Sequence, residues 1–184
     1  MLMRTKLLTW ALALCLATLN PAWADSTKTW GTASDLMAAG LPALAGGLVL
    51  QRGDDAGARQ LALSLGSSVA AAELLKSTVH STRPDGSDNH SFPSAHTAVA
   101  FSAATFIDRR YGQQYAAYTP ALYGLAALTG VARVEAKKHH WGDVLAGGAI
   151  GWGASRLWAE PVAGGQLSVL PAPHGLAVAW AEQF

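Results

Sequence analysis

Between Thr32 and Ala159 the chain runs as five stretches rich in Ala, Leu and Gly, and the breaks between them are dense in turn formers. The sharpest break is "TRPDGSDNHSFP", Thr82 to Pro93, where Pro, Gly, Asp, Asn and Ser cannot sustain regular structure. Gly53-Asp54-Asp55 separates the first two stretches. This alternation predicts helices over Thr32–Gln51, Ala56–Val79, Ser94–Arg110, Gln114–Ala132 and His140–Ala159. The third begins at a serine placed to cap it, directly after Pro93. The expected fold class is all-α, a compact bundle of about five helices.

Both ends read differently. Arg4 and Lys6 precede an apolar run from Leu7 to Leu19, then Pro21 and Ala22-Trp23-Ala24, the layout of a secretory signal peptide over residues 1–24. The helical domain is expected over 25–163. Over 164–184, "QLSVL" and "GLAVAW" alternate around "PAPHG" and predict a short β-hairpin extending the same domain. The single cysteine, Cys15, lies inside the leader, which excludes a disulfide framework.

The 184 residues are 51% hydrophobic and 14% charged, which suits one domain with an ample core and argues against disorder. Thirteen Lys and Arg face twelve Asp and Glu. With no basic block longer than the Lys137-Lys138 pair, nothing points to nucleic acid. The uncharged stretch from Tyr111 to Ala132 is long enough to cross a bilayer, but it holds Gln113, Gln114 and Pro120. Asp35, Arg59, Glu73, Asp108 and Arg156 interrupt the other stretches. A helix apolar all round suits a buried bundle position or a membrane equally, and Gly147 and Gly151, spaced G-x-x-x-G, permit close helix contact in either.

Polar residues gather in three clusters where helices meet loops: "KSTVHSTRP" (Lys76 to Pro84), "PSAH" (Pro93 to His96) and "RVEAKKHHWGD" (Arg133 to Asp143). Ser94 and His96 fall in the first turn of a helix, where free N–H groups and the dipole attract anions. His139 and Asp143 are spaced i, i+4, so the carboxylate is expected to accept the imidazole Nδ1–H and leave Nε2 as nucleophile or ligand. Each residue has a plainer reading: Lys76 and Arg83 as cations at a helix end, Ser94 as a cap, His139 and Asp143 as a structural hydrogen bond. His80, His90, His140 and His174 are read as structural, and Lys137 and Lys138 as solvated. His96, His139 and Asp143 could also furnish three zinc ligands. Lys76, Arg83 and Arg133, three cations with no obvious partner, would repel a metal and neutralise a phosphate.

In order, K-x6-R-P, P-S-x-H and R-x5-H-x3-D resemble the tripartite signature of the type 2 phosphatidic acid phosphatase and vanadium haloperoxidase superfamily, over about residues 70 to 155. The resemblance implies a metal-independent phosphatase without organic cofactor. Lys76, Arg83, Arg133, the Ser94 hydroxyl and the Ala95 amide would hold the phosphoryl oxygens. His139 would attack phosphorus, Asp143 would orient it, and His96 would protonate the leaving oxygen and then activate water. The family commonly has glycine in place of Ala95 and serine in place of Ala132. Ala95 would be strained if position 95 required a positive φ.

With the leader and the apolar helices, the expected role is a bacterial lipid phosphatase-like enzyme of the periplasm or cell envelope. Its partner would be a phosphorylated lipid, such as phosphatidic acid, phosphatidylglycerol phosphate or undecaprenyl diphosphate, with membrane association. Alternatives are a haloperoxidase, in which vanadate mimics phosphate, and a non-catalytic phosphate-binding protein. Membrane-embedded members carry six core helices, and a retained Leu7–Leu19 would supply a sixth here.

Overall fold

The computed structural model describes residues 27–162 and the backbone of 165–172 and 175–182. The expected leader over 1–24 lies outside the described residues. Strand backbone is assigned at Gly165–Ala172 and Gly175–Glu182, paired antiparallel. Residues 163–164, 173–174 and 183–184 and all side chains beyond 162 lie outside the described residues, so the hairpin stays an expectation of the sequence.

Five α-helices form the described bundle: α1 Thr27–Arg52, α2 Asp55–Thr78, α3 Ala95–Tyr115, α4 Thr119–Glu135 and α5 Trp141–Trp158. Several boundaries differ from the pattern in the sequence: α1 begins at Thr27 rather than Thr32, α4 ends at Glu135 rather than Ala132, and the junction of α3 and α4 is shifted. α3 runs on past Arg110 to Tyr115, and a 3-10 turn, Ala116–Tyr118, separates it from α4, whose start is set by Pro120 in its first turn. Proline fits there because the first N–H groups of a helix lack intrahelical acceptors anyway. The uncharged stretch Tyr111 to Ala132 is therefore two helices in part, not one span. Among the described helices, α1 is the one long and apolar enough to cross a membrane.

α3 is the central helix and packs on all four others. Its Ala98, Ala100, Ala103, Ala104, Phe106 and Ile107 are wholly buried, and the small residues let neighbours approach closely. α1 contributes Met37, Leu41, Ala45 and Leu48, a stripe at helical spacing facing the core. Leu122, Leu125 and Ala126 of α4 close the cluster.

α5 meets α3 through glycine. A methyl group on Gly147 would overlap the Ser94 carbonyl, and one on Gly151 the Ala98 carbonyl. Further along the same contact the Ser102 and Ser155 hydroxyls lie 2.9 Å apart, and Ser155 donates to the Ser102 carbonyl at 2.7 Å. Buried hydroxyls are thus satisfied within the interface. The close approach brings the N-termini of α3 and α5 side by side.

At the opposite end of the bundle, Asp54 caps α2 by accepting from the Gly57 amide at 2.9 Å. It also accepts from Arg110 Nε at 2.7 Å, Arg110 Nη2 at 2.5 Å and the Tyr111 hydroxyl at 2.7 Å. These bonds, Arg110's first, hold the Asp54 carboxyl well below the usual carboxylate range. The network joins the α1–α2 turn to the far end of α3.

Candidate active site

Ser94 is the N-cap of α3. Its hydroxyl oxygen accepts from the Thr97 amide at 3.4 Å and the Thr97 hydroxyl at 2.9 Å, while its own amide donates to the Asp143 carbonyl at 3.0 Å. The cap reading of Ser94 therefore holds, and the side chain is fully buried. Ala95 is the first residue of α3, where N–H groups have no intrahelical acceptor. Among the described residues Lys137 is the non-glycine with positive φ, at 58°. Position 95 therefore needs no left-handed backbone, and alanine is unstrained there.

α4 ends at Glu135, and the chain reverses through Lys137. The Lys138 and His139 amides return to the Arg133 carbonyl at 3.0 and 3.3 Å, which tucks His139 beneath the end of α4 with 2% of its surface exposed. The loop after α2 folds over this turn. Asp85 donates its amide to the Lys137 carbonyl at 3.1 Å and pairs with Lys138 Nζ at 2.5 Å. Lys138 is thus a tether as well as a partly solvated charge, with 40% of its side chain exposed.

Arg83 reaches in from that loop. Its Nη1 lies 3.4 Å from His139 Nε2 and donates to the Lys138 carbonyl at 3.0 Å, while Nε bonds Asp88 Oδ1 at 2.8 Å. A guanidinium can only donate, so this contact requires the tautomer that carries the His139 proton on Nδ1 and leaves Nε2 its lone pair. Arg133 is almost buried. Its Nη1 donates to Ser34 Oγ and Asp35 Oδ1, both at 3.3 Å, and its Nε has no partner. Lys76 bonds Glu73 Oε1 at 2.9 Å, one helical turn away.

The expectation that the three cations lack partners is therefore wrong. Each has a carboxylate: Glu73, Asp88 and Asp35 in turn. The expected Asp143–His139 hydrogen bond is also looser than the i, i+4 spacing suggests. Asp143 Oδ2 lies 3.6 Å from His139 Nδ1, beyond hydrogen-bond range. The same oxygen accepts from Ser91 Oγ at 2.5 Å and the His140 amide at 2.8 Å. In the latter contact Asp143 acts as the third residue of α5 reaching back to cap its start.

Burial, then the charges of Arg133 and Arg83, push the His139 imidazole down to about 4, so it is neutral at ordinary pH. For Asp143, burial opposes ionisation. Hydrogen bonds from Ser91 and the His140 amide, with His139 nearby, outweigh it and leave the carboxyl lowered. Burial also lowers His96, helped by Arg133 and Lys76 and opposed by Asp35. Arg83, Arg133 and His139 thus come together around one space, and His96 joins through Asp35, which lies 2.9 Å from its Nε2. The zinc trio does not form. Among the described residues no group of three or more His, Cys, Asp or Glu is placed to hold a metal ion.

Two participants were not singled out from the sequence. Ser91, fully buried, is the strongest partner of Asp143; its nearness to the "PSAH" cluster was the available signal. Asp35 lies on α1, far along the chain from every motif, and no local pattern marks it.

A 69-residue segment, 38% of this chain, is 44% identical to the lipid A 1-phosphatase of Porphyromonas gingivalis, and the match spans 16% of that protein. The crystal structure of a transmembrane PAP2-type phosphatidylglycerolphosphate phosphatase from Bacillus subtilis superposes with a TM-score of 0.49 at 21% identity, covering 83% of this chain and 92% of that one. The family model of the PAP2 superfamily matches residues 57–161, more than half of the chain and all three polar clusters. The chain belongs to the PAP2 superfamily.

Proposed function

We propose that this chain is a phosphatase that hydrolyses a lipid-linked phosphomonoester or diphosphate through a phosphohistidine intermediate. The observation that carries this reading is a buried, neutral His139 whose Nε2 faces Arg83, with Arg133 alongside. A neutral imidazole is nucleophilic, and two guanidiniums at its mouth suit a phosphoryl group rather than a cationic or neutral ligand. Arg83, Arg133, Lys76 and the Ala95 amide at the start of α3 bind the phosphoryl oxygens. His139 Nε2 attacks phosphorus as the bond to the leaving oxygen breaks, and His96 protonates that oxygen. Water, deprotonated by His96, then cleaves the N–P bond and releases phosphate. Asp143 stabilises the charge that develops on His139.

A lipid substrate is favoured by the similarity to the lipid A 1-phosphatase of Porphyromonas gingivalis and by the surface beside the site. A cavity of about 390 Å³, lined almost wholly by apolar side chains including Phe101, Trp141, Leu145 and Trp152, lies between α3, α4 and α5. Trp141 follows the His139-His140 pair directly, so an acyl chain there lies close to the phosphate space. Residues 1–24 serve as the export leader, and the enzyme works in the periplasm or cell envelope at the membrane.

The test is phosphate release from phosphatidic acid, phosphatidylglycerol phosphate, undecaprenyl diphosphate and a soluble phosphate ester, with and without EDTA. Preference for a lipid, unaffected by EDTA, is expected. Preference for the soluble ester overturns the lipid assignment, and loss of activity in EDTA with rescue by zinc overturns the metal-free mechanism.

A further inference from the structure

Asp35 stands out among the carboxylates of the site because it belongs to none of the three motif clusters. It comes from the first half of α1, and its Oδ1 lies 2.9 Å from His96 Nε2 and 3.3 Å from Arg133 Nη1. One oxygen therefore touches both the acid–base histidine and a phosphate-binding arginine. Asp35 is 62% exposed at the side chain, whereas His96 is about a third exposed. An exposed carboxylate held against a partly covered imidazole is not needed to fill a core, and a surface ion pair contributes little to stability.

From this geometry we infer that Asp35 is the positioning residue of His96: it accepts the Nε2–H, fixes the ring, and leaves Nδ1 to exchange the proton with the leaving oxygen and then with water. The site then contains two Asp–His pairs with separate tasks, Asp143 with the nucleophile and Asp35 with the acid–base. This rests on the phosphatase reading above.

The charges around His96 make the need for such a group plain. Arg133 of α4 and Lys76 of α2 both disfavour its protonated form, as does burial, and Asp35 of α1 is the carboxylate that opposes them. An acid must hold a proton before it can donate one, so without Asp35 the ring loses its proton at lower pH. Bound phosphate acts in the same direction as Asp35, which makes the carboxylate most important in the empty enzyme. The limb of kcat/KM on the alkaline side, which reports the free enzyme, is where its removal must be seen.

Asp35→Asn keeps the shape and removes the charge. In the full chain, the His96 ring titration followed by NMR is expected to move down by about one pH unit, and an unmoved titration overturns the inference whether or not the protein hydrolyses any phosphate. In kinetics, the alkaline limb of kcat/KM should move down by a similar amount. Turnover of an alkyl phosphate, whose leaving oxygen needs a proton, should fall at least tenfold further than that of a nitrophenyl phosphate, which leaves unaided. Equal losses on both substrates, or no recovery in Asp35→Glu, overturn it. If the unaltered enzyme releases no phosphate from either ester while the NMR shift is seen, the phosphatase reading fails and the pairing stands.

Discussion

Asp143 Oδ2 lies 3.6 Å from His139 Nδ1 and instead accepts short hydrogen bonds from the Ser91 hydroxyl and the His140 amide. The carboxylate behind the proposed nucleophile is therefore also the clamp that joins the start of α5 to the segment before α3. Its charge reaches His139 through space in a buried site, where such interactions are stronger than in water.

A double role predicts a double loss. Asp143→Ala should lower phosphate release about 100-fold or more, in the range of a lost acid–base partner. It should also destabilise the fold by about 1–2 kcal/mol through the lost cap. Thermal melts alongside turnover separate the two, and Asp143→Asn should restore most of the stability but little of the activity.

The proposed nucleophile and the proposed acid should part company by substrate. His139→Ala is expected to abolish release from every ester. His96→Ala should cost about 100-fold or more on an alkyl phosphate and much less on an aryl phosphate. Undiminished turnover in His139→Ala sinks the assignment of the nucleophile.

His139 must be unprotonated to attack. Because its folded pKa is pushed down to about 4, kcat/KM should hold below the ordinary histidine range and fall only as pH approaches 4. Stability has the opposite window. As pH drops below about 6.5 the unfolded chain takes up a proton that folded His139 refuses, so this histidine lowers stability increasingly down to about 4. A pH series of kcat/KM set against thermal melts checks both signs.

The glycine contact between α3 and α5 is a packing requirement. Gly151→Ala places a methyl group into the Ala98 carbonyl, and overpacking of this kind costs about 1–3 kcal/mol. Gly153→Ala, on the same helix with open space around it, should be neutral or mildly stabilising. Denaturant melts of the pair provide the comparison.

Stability at the far end rests on Asp54 and Arg110, nearly buried and doubly bonded. Asp54→Ala leaves Arg110 short of its partner and should cost about 3–5 kcal/mol, with kcat unchanged in the folded fraction. The depressed carboxyl contributes stability above the ordinary carboxylate pKa, and that contribution is lost as pH falls through the lower folded value. Acid melts of Asp54→Asn should show a flatter pH dependence than the parent chain.

Helix identities, the loop at Thr82 to Pro93 and the three polar clusters could be read from the residues alone, because turn formers, caps and apolar spacing act over a few positions. The order of K-x6-R-P, P-S-x-H and R-x5-H-x3-D marked Arg83, Arg133, His96 and His139 as candidates, and the fold brings Arg83 and Arg133 to His139. Spacing could not say where each side chain turns. The i, i+4 separation of His139 and Asp143 implies proximity within a continuous helix, yet His139 lies before α5 begins, so its ring is set by the turn after α4. The carboxylate partners of the cations show the same limit. Glu73 was legible in principle, one turn from Lys76, but Asp35 meets Arg133 and His96 only because α1 packs along α3 and α4. Local sequence determined which groups are available and the helices that carry them. Only the packing of helices distant in the chain decided which carboxylate faces which base, because charge and hydrogen bonding act through a few ångströms of space and not along the backbone.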